Sequence, residues 1–436
     1  MRLAYNLLVV LGFPFVAVYW CWRAIADQSY RHNIGQRFGL GYPMGAKNQR
    51  TVWVHAVSVG EVQASAPLVN AIRARMPDAR VLITTVTPTG GDRVRLLFGD
   101  AVQHAFAPYD VLPAVRRFYT AVAPSVAIII ETELWPNLYG EAGKRDIPLV
   151  LASARISPRS MPRYQRLVGL FRDALSHGII IAAQSEADRS RFEALGAPKD
   201  RTFVSGNIKF DFRHPDDLVA RGAQFRKDYL GERKVWVAAS THDGEEDILI
   251  AAHQRLLVSE PDALLILVPR HPARFDEAAE KLTAAGISFD RRTEERAVSA
   301  TYSVLLGDTM GEVNLFYAAS DIAFVGGSLV PVGGHNLLEP AALGLPILAG
   351  PYLYNAEDIA NMFREVGAVE TVTGVDDLSN VLTSLFRRAA LRQKMGELAY
   401  QLVAGNRGAV SRLLERLEPV LDRRRGDDES IQPAND

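Results

Sequence analysis

The chain has 436 residues, 48% hydrophobic and 23% charged, with a formal net charge of −1. That length favours two or more domains, and the composition is that of a folded protein with a large core. A near-zero charge offers no footing for nucleic acid, and a single cysteine, Cys21, excludes an intrachain disulfide, a Cys-rich zinc site or a thiol pair.

Residues 3–22 carry no charge and end in Tyr19, Trp20 and Trp22. This is about the length that crosses a bilayer as a helix, with aromatics at one interface. Residues 1–60 hold Arg2, Arg23, Arg31, Arg37, Lys47 and Arg50 against one acid, Asp27. The pattern predicts an N-terminal membrane-anchor helix with a basic collar, residues 1–40, facing the cytoplasm and anionic headgroups. Gly12 and Pro14 weaken a straight span, so a helix lying in the interface stands beside a spanning one. A buried apolar helix is the third reading.

From Arg50 strands and helices alternate. TVWVHAVS, VLITTV, VQHAFAP, SVAIIIE, PLVLASA, GIIIAAQ and TFVSG read as strands; a second series is KVWVAAS, ALLILVP, SVLLGD, DIAFVGG, PILAG and AVETV. Apolar strands between amphipathic helices predict parallel sheets covered on both faces. The expected fold class is α/β: two Rossmann-like domains, 41–211 and 212–422, facing a cleft, then a disordered tail, 423–436. Ligands in such sheets lie at the strands' carboxyl ends. Neither domain has GxGxxG after its first strand, which removes support for an NAD-type cradle.

Several stretches carry chemistry. HAVSVGE puts Glu61 at a strand end beside a glycine, suited to a general base, or equally to a helix-start charge; Ser58 fits a cap or a substrate contact. ETELWPN ends a strand in Glu131 and Glu133, which alternation sends to one face. SARISPRS supplies Arg155 and Arg159 for phosphate or carboxylate. SGNIKFD places Lys209 at the domain junction, able to neutralise a leaving group, or simply exposed. VPRHP ends a strand in Arg270 and His271, and DTMGE sets Met310, Gly311 and Glu312 at a helix start. His242 and His271 are conceivable metal ligands, but no HExxH or DxD spacing occurs, so no metal is expected.

The stretch Gly326–Gly350, GGSLVPVGGHNLLEPAALGLPILAG, reads as strand, glycine-rich turn, short helix and strand. The turn predicts a phosphate at a helix N-terminus after Gly334, with His335 and Asn336 as donors. Leu337 and Leu338 open the helix, and Glu339 is placed for ribose hydroxyls. An ordinary β–α turn is the alternative.

HAVSVGE, ETELWPN, ISPRS, SGNIKFD, STHDGEE, VPRHP, DTMGE and GGSLVPVGGHNLLEP occur in this order. As an ordered set they resemble the 3-deoxy-D-manno-octulosonic acid (Kdo) transferases of lipopolysaccharide synthesis, over nearly the whole chain. The resemblance implies a GT-B glycosyltransferase fold, CMP-Kdo as donor, a lipid A precursor (lipid IVA) as acceptor, and the cytoplasmic face of the inner membrane. It implies Glu61 as catalytic base, and Glu131 and Lys209 as transition-state stabilisers. It also implies CMP contacts from Arg270, His271, Met310 to Glu312 and Asn336 to Glu339. Two other readings stay open: a GT-B enzyme using a UDP-sugar, and a non-catalytic membrane-tethered scaffold.

Overall fold

The computed structural model describes residues 2–26, 28–44, 49–166, 168–175 and 178–422. The chain forms two compact units, Met1–Phe212 with Asn406–Asp436, and Arg213–Gly405. The first holds strands β1 Thr51–His55, β2 Arg80–Thr85, β3 Gln103–Phe106, β4 Val126–Ile130, β5 Leu149–Ala154, β6 Ile180–Ala183 and β7 Thr202–Val204. They form one parallel sheet in the order β3-β2-β1-β4-β5-β6-β7.

The second unit holds β8 Lys234–Thr241, β9 Ala263–Pro269, β10 Phe289–Arg291, β11 Val304–Leu306, β12 Ile322–Val325, β13 Ile347–Ala349 and β14 Val369–Thr371. Its parallel order is β10-β11-β9-β8-β12-β13-β14. Three-residue β10, FDR, is too short and polar to show in the sequence pattern. In each sheet the order reverses beside the first strand, between β1 and β4 and between β8 and β12, and such switch points open a crevice at the carboxyl ends.

Each apolar strand serves two cores because successive side chains point to opposite faces. Trp53, Ala127, Ile129 and Leu151 enter one cluster, while Val52, Val54, Ile128 and Val150 enter the other. β8 repeats this, with Trp236 and Ala238 on one face and Val235 and Val237 on the other. Two buried tryptophans spend their one donor: Trp53 Nε1 bonds Thr84 Oγ1 at 2.8 Å, and Trp236 Nε1 bonds His253 Nδ1 at 3.2 Å.

The N-terminal helix, Arg2–Ala26, exposes Leu3, Leu7, Leu8, Leu11, Phe15, Val18, Trp22 and Ile25. Among the described residues no helix is long and apolar enough to cross a membrane. The expected spanning form of the anchor is therefore not supported; Gly12, Pro14 and the polar Asn6 interrupt the apolar run. The expected tail, 423–436, lies outside the described residues.

The last helix, Ala409–Asp422, differs from expectation. It belongs to the first unit rather than the second, where Val410, Leu413, Leu417 and Leu421 join the core of Val52 and Val54. Asp211 fastens it: its carboxylate accepts Gly408 N and Val410 N, both at 2.5 Å. It thereby satisfies amides that a helix start leaves without an internal partner. Asp211→Ala is expected to cost about 1–2 kcal/mol, as a lost helix cap does. Urea unfolding should show the lower midpoint, and limited proteolysis should show earlier cleavage near residue 407.

Candidate active site

The loop after β1 makes the first site. Ser58 (φ −122°, ψ 168°) caps helix Val59–Arg75, its Oγ accepting Glu61 N at 3.4 Å. Glu61 reaches back: Oε2 accepts Val57 N at 2.8 Å, and Oε1 accepts the Ser58 hydroxyl at 3.2 Å. Ser58 and Glu61 thus close on each other across the first turn, so Glu61 is a helix-start charge and a cavity-lining group at once. Burial, foremost, pushes its carboxyl up to about 7, the two hydrogen bonds opposing and Glu131 and Glu133 adding repulsion.

The loop after β4 brings those two carboxylates. β4 ends at Ile130, so Glu131 and Glu133 lie beyond the strand and alternation does not govern them. Glu131 instead takes a left-handed conformation, φ 58°, which costs a residue with a Cβ on the order of 1–2 kcal/mol. Its Oε1 meets Lys209 Nζ at 2.6 Å. Glu133 Oε2 accepts Trp135 Nε1 at 2.7 Å, and burial raises its carboxyl despite that bond. Trp135 stands edge-on to His55, ring centres 5.6 Å apart.

A cavity of about 300 Å³ is lined by Glu61, Glu131, Thr132, Glu133, Arg155, Ile156, Ser157, Ser160 and Tyr164. Thr132 Oγ1 ties the Arg155 backbone, accepting its N–H at 3.0 Å. Of the expected residues, Glu61, Glu131 and Arg155 line the cavity, Lys209 reaches it through Glu131, and Ser58 supports Glu61. Arg159 does not line it; it sits exposed on the turn before Ser160. Glu133 and Tyr164 were not assigned from sequence; the second carboxylate of ETELWPN was the available signal.

In the second unit Arg270 and His271 follow β9 on the surface, and Met310 and Gly311 are exposed before helix Val313–Ala318. Glu312 is internally paired, to Arg292 at 3.0 Å and to Thr309. His242 and His335 stack, with interplanar angle 9° and Nε2 atoms 2.8 Å apart, and His271 lies edge-on to His242. Burial, then Arg270 and the neighbouring imidazoles, lowers His335 to about 4, so it is neutral at pH 7, and burial lowers His242 as well.

In the glycine-rich turn many amides have acceptors inside the unit. Gly327, Ser328 and Leu329 N–H all donate to the fully buried Glu245 carboxylate, at 2.7, 2.9 and 2.9 Å. Gly333 and Gly334 N–H bond Gly327 O, and His335 N–H bonds Gly326 O. Asn336 Oδ1 takes Leu338 N–H at 3.1 Å, and its amide donates to Glu339 Oε1 at 3.1 Å. The helix is only Leu338–Ala341, and the side chains of Leu337 and Leu338 are core. The amides of Gly327 to Leu329, Gly333 to His335 and Leu338 are thus engaged inside the unit, and His242, His271 and His335 cluster beside them. Among the described residues no group of three or more His, Cys, Asp or Glu is arranged to hold a metal ion.

Residues 32–212 match the family model described as 3-Deoxy-D-manno-octulosonic-acid transferase (kdotransferase). The 3-deoxy-D-manno-octulosonic acid transferase of Haemophilus influenzae is 38% identical over 97% of this chain and 99% of its own. The Bordetella pertussis enzyme of that name is 37% identical over 92% and 95%. In fold the chain is similar to the UDP-GlcNAc 2-epimerase of Neisseria meningitidis, with TM-score 0.56, 14% identity and 85% and 100% coverage. The chain belongs to the 3-deoxy-D-manno-octulosonic acid transferases.

Proposed function

We propose that this Kdo transferase takes Kdo from CMP-Kdo and passes it to a lipid A precursor, lipid IVA, with inversion at the anomeric carbon and with Glu61 as general base. The observation carrying the reading is a carboxylate tuned to about 7 by burial, lining a polar cavity beside the Glu131–Lys209 pair. A base works best when its pKa lies near the working pH. Glu61 removes the proton of an acceptor hydroxyl as that oxygen attacks; the bond to CMP breaks on the opposite face. The reacting carbon passes through an oxocarbenium-like state, beside which the Glu131 carboxylate supplies negative charge. The departing phosphate gains charge, and Lys209 is the cation assigned to it.

Membrane attachment belongs to the same reading. The helix Arg2–Ala26 presents leucines, Phe15 and Trp22 outward, with Tyr19, Trp22 and Arg23 at its end. Such a helix suits the interfacial plane of a bilayer. We assign it to the cytoplasmic face of the inner membrane, where the acceptor is held.

Glu61→Gln should keep its affinity for CMP yet lose transfer by roughly a hundredfold or more. Purified protein, CMP-Kdo and lipid IVA, followed by CMP release and lipid mass, give the readout; near-wild-type turnover would remove Glu61 from the role. In the parent enzyme kcat/KM should fall below about pH 7, where Glu61 takes up its proton.

Stability should move the opposite way. A carboxyl raised from 4.5 to about 7 on folding makes the folded state bind the proton more tightly, so its strain grows as pH rises through that window. Glu61→Gln should therefore melt higher than the parent at pH 8, with the gap closing towards pH 4.5. An equal gap at both pH values would show that Glu61 titrates normally.

Transfer is expected to survive excess EDTA, since the charge on the leaving phosphate is assigned to Lys209 rather than to a metal ion. Loss in EDTA with recovery on adding Mg²⁺ would reverse that assignment. Turnover of a UDP-sugar in place of CMP-Kdo would reverse the donor assignment.

A further inference from the structure

The helix Pro136–Gly143 follows directly on the Glu133–Trp135 loop, and its own N-cap residue, Trp135, makes no side-chain cap bond. Its first amides are satisfied from elsewhere. Asp110, in the loop after β3, accepts Asn137 N at 3.0 Å and Leu138 N at 2.8 Å. Asp110 is itself held by the N-terminal helix: Tyr5 OH donates to its Oδ2 at 2.7 Å.

Two further bonds tie that helix to the same point. The fully buried Asn137 donates through Nδ2 to Asn6 Oδ1 at 2.7 Å, and Arg2 donates to Pro136 O at 3.2 Å. Gly140 supplies the room, because a Cβ there would collide with the Arg2 guanidinium. The polar side chains at the start of an otherwise apolar helix thus converge on one turn. Trp135 immediately precedes that turn, and its N–H fixes Glu133, which lines the cavity.

We propose that the first turns of the N-terminal helix are a working part of the acceptor site, with Tyr5 and Asn6 as positioning residues that hold Trp135 and, through it, Glu133. This rests on the reading of the Glu61 cavity as the acceptor site. The helix has two roles on two faces: its leucines meet the lipid surface, and its first polar side chains brace the loop that sets a carboxylate beside the base. A tether alone would need no hydrogen bonds to that loop. The charged and titratable groups around Glu61 are Glu131 and Glu133 from the loop after β4, Arg155 and Tyr164 from the segment after β5, and Lys209 after β7. Glu131 and Glu133 both add negative charge beside Glu61; Lys209 holds the first, and the brace sets the distance of the second.

The test uses the full chain, CMP-Kdo and a water-soluble short-acyl analogue of the acceptor, without vesicles, so that tethering contributes nothing. Tyr5→Phe, which removes one hydroxyl, and Asn6→Ala should each lower kcat/KM for this acceptor roughly tenfold, as small misplacements near a reacting centre do. The KM for CMP-Kdo and co-sedimentation with anionic vesicles should stay at parent values. The acid limb of the pH–rate profile should move to lower pH as Glu133 recedes from Glu61. Parent-like kcat/KM in both variants would overturn the inference, as would a loss seen only with vesicle-borne acceptor, or a donor KM that rises in step. An inactive parent enzyme would overturn the parent reading and this inference with it.

Discussion

The site depends on a carboxylate that is half-buried without being fully satisfied. A parallel strand running into a helix leaves amides at the turn that need acceptors. In the first unit Glu61 supplies one, taking Val57 N–H and the Ser58 hydroxyl, one bond on each oxygen. A carboxylate can accept about four. The unspent lone pairs face a polar cavity, and the missing solvation is what lifts the proton affinity. Structural cap and chemical base are therefore one arrangement, and the cost of burial is the source of basicity.

The second unit has the same device taken to completion. Glu245 stands at the corresponding turn after β8 and accepts four amides, from His242, Gly327, Ser328 and Leu329. Nothing is left over, and its side chain is wholly buried. One carboxylate closes a loop and the other closes a loop while keeping capacity for a substrate proton. Residue type and motif position do not separate the two roles; the count of hydrogen bonds received does.

That count explains which parts of the protein were legible in its sequence. Runs such as VAIII and ALLILVP announce strands because burial on both faces leaves no polar position. Glu61, Glu131 and Lys209 were legible through their motifs. In the glycine-rich turn the engagement of Gly327 N–H was not legible, because its partner lies 82 residues earlier. The return of helix Ala409–Asp422 to the first unit rests on Asp211, 197 residues before Gly408. The position of Glu133 is tied to the Trp135 indole and to a turn whose partners Asp110 and Asn6 lie 27 and 131 residues before Asn137. Local patterns report burial, whereas the loops are set by polar partners far along the chain.

The strained positions follow the same logic. Glu131, Ser153 and Ser240 are residues with side chains held at φ 58°, 57° and 59° at or beside the carboxyl ends of β4, β5 and β8. Such conformations persist only where the surroundings over-determine them. At Glu131 the surroundings are identifiable: its N–H is locked to Ala152 O at 2.9 Å, and its carboxylate to Lys209. Lys209 is fixed in turn, its N–H on Asn207 Oδ1 at 3.0 Å and the next turn clamped through Asp211 to the last helix. A half-exposed ion pair contributes little to stability, at most about 1 kcal/mol, which does not exceed the strain it accompanies. The pair is therefore better understood as positioning than as stabilisation. It holds a cation and a carboxylate at one edge of the cavity, beside Glu61, whose proton affinity is brought to about 7.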